Sequence, residues 1–230
     1  MAKQKKNNLS KKQRKKLKYG IVFGVLFLAF FFWDSFLIYP IKLFVVLTHE
    51  MSHGLSAILS GGKLDSILIT TNLGGESRTI GGNKFIIASA GYLGSLVFGV
   101  ILYISGYDEK PRRVLSIILA ILLILFAANY LVGYLGKIAS VFFAAVFIIV
   151  PIYLSPTINS YFFKLLGLIS MSYVAIAIKE DLLTNIYRPS DAQFIAALTS
   201  VSATVWGILW LLISITTIFF ILRWGFRKDF

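Results

Sequence analysis

The residues best suited to metal binding or catalysis lie at positions 48–54, T-H-E-M-S-H-G, which contain an H-E-x-x-H motif. On a helix, His49 and His53 are four residues apart and therefore project from the same face, one turn from each other. Two neutral imidazoles at that spacing can bind one Zn²⁺, and Glu50 can act as general base toward the attacking water. These are the only two histidines of the chain. The motif predicts a catalytic zinc site with His49 and His53 as ligands.

The composition is that of a multi-pass helical membrane protein. The chain is 57% hydrophobic with a mean hydropathy of +0.80, and several apolar runs reach the roughly 20 residues that a helix needs to cross a bilayer. An ionisable cluster in such a run is costly and therefore usually functional, which favours a metal site over histidines that merely pair with polar neighbours. The absence of cysteine excludes disulfides, thiolate ligands and cysteine nucleophiles.

The positive charge is concentrated at the start of the chain. Nine of the 23 Lys and Arg residues fall within the first 18 positions, ahead of the first apolar run, although the net charge is +13 overall. Such a cluster is a topology signal and a contact for anionic lipid, and its distribution argues against nucleic-acid binding. We therefore expect a basic cytoplasmic tail over residues 1–18, and an integral protein of the plasma membrane.

The apolar runs predict an all-α membrane protein with six or seven transmembrane helices in one embedded domain, residues 19–222, followed by a basic tail, residues 223–230. The predicted spans are residues 19–39, 40–59 and 85–104, two spans between 113 and 157 divided near Gly136 and Lys137, and residues 158–178 and 202–222. Gly91, Ser95 and Gly99 place small residues at four-residue spacing in the third span, which predicts close helix packing.

Residues 63–84 differ from the rest of the chain in pattern. Residues 64–71 contain β-branched residues with partial alternation, residues 72–75 have turn chemistry, and residues 77–80 can pair back. We expect a short β-hairpin or re-entrant sheet directly after the metal-binding helix. It either offers an edge strand to an extended peptide or is an ordinary surface hairpin.

The third zinc ligand must be a carboxylate, because a catalytic zinc usually has three protein ligands and the chain has no further histidine and no cysteine. Of the ten Asp and Glu residues, seven are set aside as the base, as solvated hairpin residues or as lying across the membrane: Glu50, Asp65, Glu76, Asp34, Asp108, Glu109 and Asp229. Glu180, Asp181 and Asp191 remain.

The sequence alone does not separate these candidates. Asp191 follows Ser190 at the start of a predicted helix, where either residue can serve as the cap. Asp181 can instead be an interfacial charge that pairs with Lys179 or Arg188, a pairing of little energetic value.

The chain resembles the site-two protease family of intramembrane zinc metallopeptidases, and most closely its compact peptidase M50B-like branch. The resemblance rests on residues 40–62 with the metal motif, the Gly-rich hairpin, residues 90–94 (A-G-Y-L-G) and residues 190–192 (S-D-A). It implies a zinc ion held by His49, His53 and an aspartate of a later helix, with Glu50 as base. The Leu-Asp-Gly type motif of the larger family is absent. Because residues 190–192 resemble the pattern of this branch, the resemblance favours Asp191 over Asp181 as the third ligand.

These observations predict an intramembrane zinc metalloprotease that cleaves membrane-protein or peptide substrates. The alternative is a non-catalytic membrane scaffold or binding protein that retains the metal site. The presence of Glu50 favours catalysis, because a closed structural zinc site needs a fourth protein ligand and not a base.

Overall fold

The computed structural model describes residues 10, 13, 20–22, 24, 26–28, 31–33, 35–181 and 190–228. Most of the predicted tail 1–18, together with Asp34, Arg188 and Asp229, lies outside these residues. The described elements in chain order are α1 (Tyr39–Leu59), β1 (Lys63–Ile69), β2 (Gly75–Ile80), α2 (Lys84–Ser105), α3 (Glu109–Asn129), β3 (Leu131–Val132), α4 (Tyr134–Tyr153), α5 (Pro156–Lys179), α6 (Asp191–Thr199) and α7 (Ala203–Lys228).

Five of the described helices, α2, α3, α4, α5 and α7, are long and apolar enough to cross a bilayer. The motif helix α1 is not among them, because Lys42, His49, Glu50 and His53 lower its hydropathy. The first predicted span, residues 19–39, is described only in part, and its described residues from 20 to 28 are helical. The predicted mostly helical membrane architecture is confirmed, whereas the count of six or seven spans remains a prediction.

Helix boundaries follow local capping chemistry. The side chain of Asn83 accepts a hydrogen bond from the backbone N–H of Ile86 at 3.1 Å and caps α2. Ser155 caps α5, whose first turn contains Pro156, a residue that needs no hydrogen-bonded N–H there.

Two predicted boundaries were wrong. The division between the two spans of residues 113–157 lies at residues 130–133 and not near Gly136 and Lys137, because Leu131 and Val132 form a strand and Gly133 turns the chain at φ 77°. The last helix, predicted to end at residue 222, continues as α7 to Lys228, so the basic residues 223–228 are helical. Contacts of Lys228 with the Tyr107 and Trp224 rings and with Asp108 accompany this extension.

The predicted hairpin is present and belongs to a three-stranded sheet of order β2-β1-β3. Strands β1 and β2 pair antiparallel, with an irregularity between Leu64 and Ser66. The turn is closed by a hydrogen bond from the N–H of Thr70 to the carbonyl of Gly74 at 2.9 Å. Strand β3 pairs parallel to β1 through Ile67 and Leu131, a connection that was not predicted.

Helix α2 forms the centre of the bundle, because it packs on both α1 and α5. A Cβ atom added to Gly99 would lie 2.6 Å from the backbone nitrogen of Met171 and 2.7 Å from the carbonyl oxygen of Gly167. Helices α2 and α5 therefore approach at backbone distance, as small residues in membrane helices allow.

We expect Gly99→Ala to lower the free energy of unfolding of the detergent-solubilised protein by about 1–3 kcal/mol, because the added methyl group overpacks a tight helix contact. The melting temperature should fall accordingly. Thermal unfolding followed by circular dichroism measures this effect. Gly20→Ala is the control, because a Cβ atom at Gly20 meets nothing within 4 Å and reports helix propensity alone. Equal melting temperatures for the two variants would contradict the close α2–α5 contact.

Candidate metal centre

Helix α1 presents both histidines of the motif to one point inside the bundle. The side chains of His49 and His53 are buried, and their Nε2 atoms lie 3.3 Å apart. The Oδ2 atom of Asp191 lies 3.2 Å from each of these nitrogens. Ligand atoms about 2.0–2.1 Å from a tetrahedral zinc are roughly 3.3 Å from one another, so the spacing of the three atoms fits such an ion.

Asp191 reaches this point from the first turn of α6. The helix is capped by Ser190, whose hydroxyl oxygen accepts from the N–H of Gln193 at 3.3 Å. The carboxylate of Asp191 therefore does not serve as the cap. Partial burial alone would raise the pKa of Asp191, but the charge and hydrogen bonds of His53 and His49 outweigh it and hold the pKa well below its usual range. The ionised form is the one that binds a cation.

Asp181, the alternative third ligand, has a different partner. Its carboxylate accepts a hydrogen bond from the hydroxyl of Tyr92. Burial raises the pKa of Asp181 to about 6, although the Tyr92 hydrogen bond opposes this shift. Within the described part of the chain, Asp181 makes no ion pair with either histidine. The geometry therefore supports Asp191 over Asp181, and Glu180 is paired with Lys42 at 3.5 Å.

The second ring nitrogen of each imidazole, Nδ1, also lies close to a polar partner. Nδ1 of His53 lies 2.7 Å from the carbonyl oxygen of Ile87, which can only accept, so this nitrogen carries the proton. In the neutral imidazole, the form that binds a metal, Nε2 then keeps its lone pair. The Oγ atom of Ser95 is 3.5 Å from Nδ1 of His49. Partners of this kind fix the orientation and tautomer of a metal-binding histidine.

Glu50 is held between α1 and the sheet. The hydroxyl of Ser77, in β2, donates to Oε2 of Glu50 at 2.6 Å. Any side chain at Gly75 would collide with the same carboxylate, so β2 passes directly against it. Neither Ser77 nor Gly75 was predicted as part of the site, because nothing in the local sequence shows which α1 residue the hairpin touches.

Gly91 leaves the space that the three candidate ligands occupy. A Cβ atom at this position would lie 2.5 Å from Oδ2 of Asp191 and 2.5 Å from Nε2 of His49. The stripe of Gly91, Ser95 and Gly99, predicted as a packing face, therefore has two roles. Gly99 allows α5 to pack closely, whereas Gly91 and Ser95 lie next to the candidate metal ligands.

The site opens into a cleft of about 640 Å³. The cleft is lined by Glu50, His53 and Asp191 and by β2 residues that include Ser77 and Thr79. A smaller polar cavity of about 110 Å³ adjoins it and contacts His49, Glu50, Tyr173, Asp181 and Asp191, among others. Glu50, His53 and Asp191 are therefore accessible from the cleft, and His49 from the smaller cavity.

A family model described as Peptidase M50B-like matches residues 22–221. The chain belongs to the peptidase M50B-like family. This confirms the resemblance given by the sequence motifs. The comparisons with curated proteins and with solved structures returned no match. Membership in the peptidase M50B-like family and the five apolar helices together indicate an integral membrane protein of a metallopeptidase family, and the grouped His49, Glu50 and His53 fit that assignment.

We expect Gly91→Ala to reduce zinc binding while the protein remains folded, because the added methyl group enters the space of Asp191 and His49. Zinc per chain, measured by inductively coupled plasma mass spectrometry after gel filtration, reports the effect. Gly20→Ala again serves as control, since that position is open. Zinc binding by Gly91→Ala with wild-type stoichiometry and affinity would contradict this location of the site.

We expect Asp191→Asn to weaken zinc binding by ~100-fold or more. Loss of a residue that only hydrogen-bonds to a metal ligand can already lower metal affinity by about 100-fold. Asp181→Asn should retain about one zinc per chain, because Asp181 contacts Tyr92 and not the histidines. Competition with a chromophoric chelator gives both affinities. The reverse pattern would make Asp181 the third ligand.

Proposed function

We propose that this protein is an intramembrane zinc metallopeptidase that hydrolyses peptide bonds of membrane-protein or peptide substrates. The observation that supports this proposal best is the convergence of His49, His53 and Asp191 at tetrahedral spacing, with Glu50 beside them in an open cleft. In this proposal His49, His53 and Asp191 are the zinc ligands and Glu50 is the general base.

Zn²⁺ at this site would supply Lewis acidity toward the scissile carbonyl and lower the pKa of a water in the fourth position. The carboxylate of Glu50 takes the proton of the attacking water and then passes it to the leaving amine. The hydrogen bond from Ser77 holds one oxygen of Glu50 in a fixed direction. Because Gly75 lies against the same carboxylate, the base has little freedom to turn away from the cleft.

A peptide segment in the cleft has a backbone surface to pair with. Strand β2 pairs with β1 on one side only, among the described strands, and four of its residues line the cleft beside Glu50 and His53. A transmembrane helix hides its peptide groups in internal hydrogen bonds, so a substrate must unwind before hydrolysis. Addition of the unwound segment to the β2 edge would hold it extended.

The alternative proposal is a membrane scaffold that binds a metal without turnover. The open cleft and the well-positioned Glu50 favour catalysis, because a structural zinc site is closed by four protein ligands. Placement in the plasma membrane with a cytoplasmic N-terminus, and one embedded domain over residues 19–222, are parts of the same proposal.

We expect Glu50→Gln to lower the hydrolysis rate by about 100-fold or more, the usual range for loss of general base catalysis, while about one zinc per chain is retained. The assay reconstitutes the protein in proteoliposomes with a quenched-fluorescent peptide library and identifies products by mass spectrometry.

Glu109→Gln is the matched control, because this exposed carboxylate pairs with Arg113 and lies outside the cleft. Undiminished hydrolysis by Glu50→Gln would exclude Glu50 as the base. A zinc-loaded wild type that cleaves no member of the library would favour the scaffold.

A further inference from the structure

Two tyrosine rings flank His49. Tyr92, in α2, and Tyr173, in α5, both present their rings edge-on to the imidazole, with centroids 5.8 Å and 5.5 Å away. The rings of Tyr173 and Trp33 are 5.8 Å apart, and both residues are buried. The ring of Tyr173 is therefore fixed between two aromatic neighbours beside a candidate zinc ligand.

The hydroxyl groups of the two tyrosines differ. The Tyr92 hydroxyl donates to Asp181. Tyr173 lines the polar cavity of about 110 Å³, and no hydrogen bond joins its hydroxyl to another residue of the described ranges, 35–181 and 190–228. Tyr173 thus brings an uncommitted donor to the cavity that also contacts His49 and Glu50.

Most of the other polar side chains of this cavity are carboxylates, which repel a developing negative charge. The described residues that line it include four carboxylates, Glu50, Glu180, Asp181 and Asp191. Ser190 supplies the other side-chain hydroxyl; its oxygen accepts from the N–H of Gln193 as the cap of α6, and its O–H group can still donate. A neutral donor that faces the reacting oxygen can stabilise the negative charge that develops there.

We propose that Tyr173 is a further catalytic residue, whose hydroxyl donates a hydrogen bond to the scissile carbonyl oxygen as that oxygen becomes negatively charged. This inference rests on the proposed peptidase activity. When water adds to the carbonyl carbon, the π electrons of the C=O bond move to the oxygen and Glu50 takes the released proton. Collapse restores the C=O bond, breaks the C–N bond and sends that proton to the leaving amine. Tyr173 keeps its own proton throughout.

The test is Tyr173→Phe, which keeps the aromatic packing on His49 and Trp33 and removes only the hydroxyl. We expect kcat to fall about 100- to 1,000-fold, the range for loss of one oxyanion donor, with KM and zinc content unchanged. The visible spectrum of the Co²⁺-substituted protein should also stay the same. Tyr92→Phe removes the matching hydroxyl on the other side of His49 and should leave kcat close to the wild-type value.

A second measurement does not depend on turnover. The probe is a phosphinic tripeptide with Phe, Leu and Ala side chains, which carries a tetrahedral anion in place of the scissile amide. We expect it to bind Tyr173→Phe at least about 10-fold more weakly than wild type, because the variant lacks the hydroxyl that donates to this anion. Equal phosphinate affinity, or wild-type kcat in the zinc-loaded variant, would overturn the role of Tyr173. A zinc-loaded wild type with neither hydrolysis nor phosphinate binding would overturn the peptidase proposal itself.

Discussion

The structure depends most on the burial of several ionisable groups at one point of an apolar bundle. Two imidazole nitrogens and one carboxylate oxygen lie 3.2–3.3 Å apart, in a protein whose helices are otherwise apolar enough to cross a bilayer. Uncompensated charge there is costly, so these groups must satisfy one another or share a cation. The carbonyl of Ile87 and the Ser190 cap serve this end, because they free Nε2 of His53 and the carboxylate of Asp191.

Close backbone approach is the second constraint. The helix α2 can face the ligand atoms only because Gly91 has no side chain, and β2 can pass Glu50 only because Gly75 has none. The hairpin and α1 consequently form one unit, in which Ser77 orients the carboxylate of Glu50. An opening of the sheet would release both the proposed base and the strand edge that is proposed to bind peptide.

The sequence predicts those features that depend on local spacing. The H-E-x-x-H motif positions its own residues, since four residues along a helix are one turn, and apolar runs predict long helices. The identity of the third ligand is a long-range property: Asp181 and Asp191 both stand near helix ends, and only the folded chain shows that one faces Tyr92 and the other the histidines. Strand β3 was missed because Leu131 and Val132 continue an apolar run.

The candidate active site is also divided among elements in an informative way. The residues proposed to bind zinc and to move the proton belong to α1 and α6, which are not among the helices apolar enough to span a membrane, and the β-hairpin orients Glu50. The helices that are apolar enough to span a membrane contribute small residues and aromatic rings instead, such as Gly91 from α2 and Tyr173 from α5. Polar chemistry thus resides on short or polar elements, and the apolar helices enclose them. A membrane protein can meet both requirements, solubility in lipid and access for water, only if the same residues do not have to satisfy both.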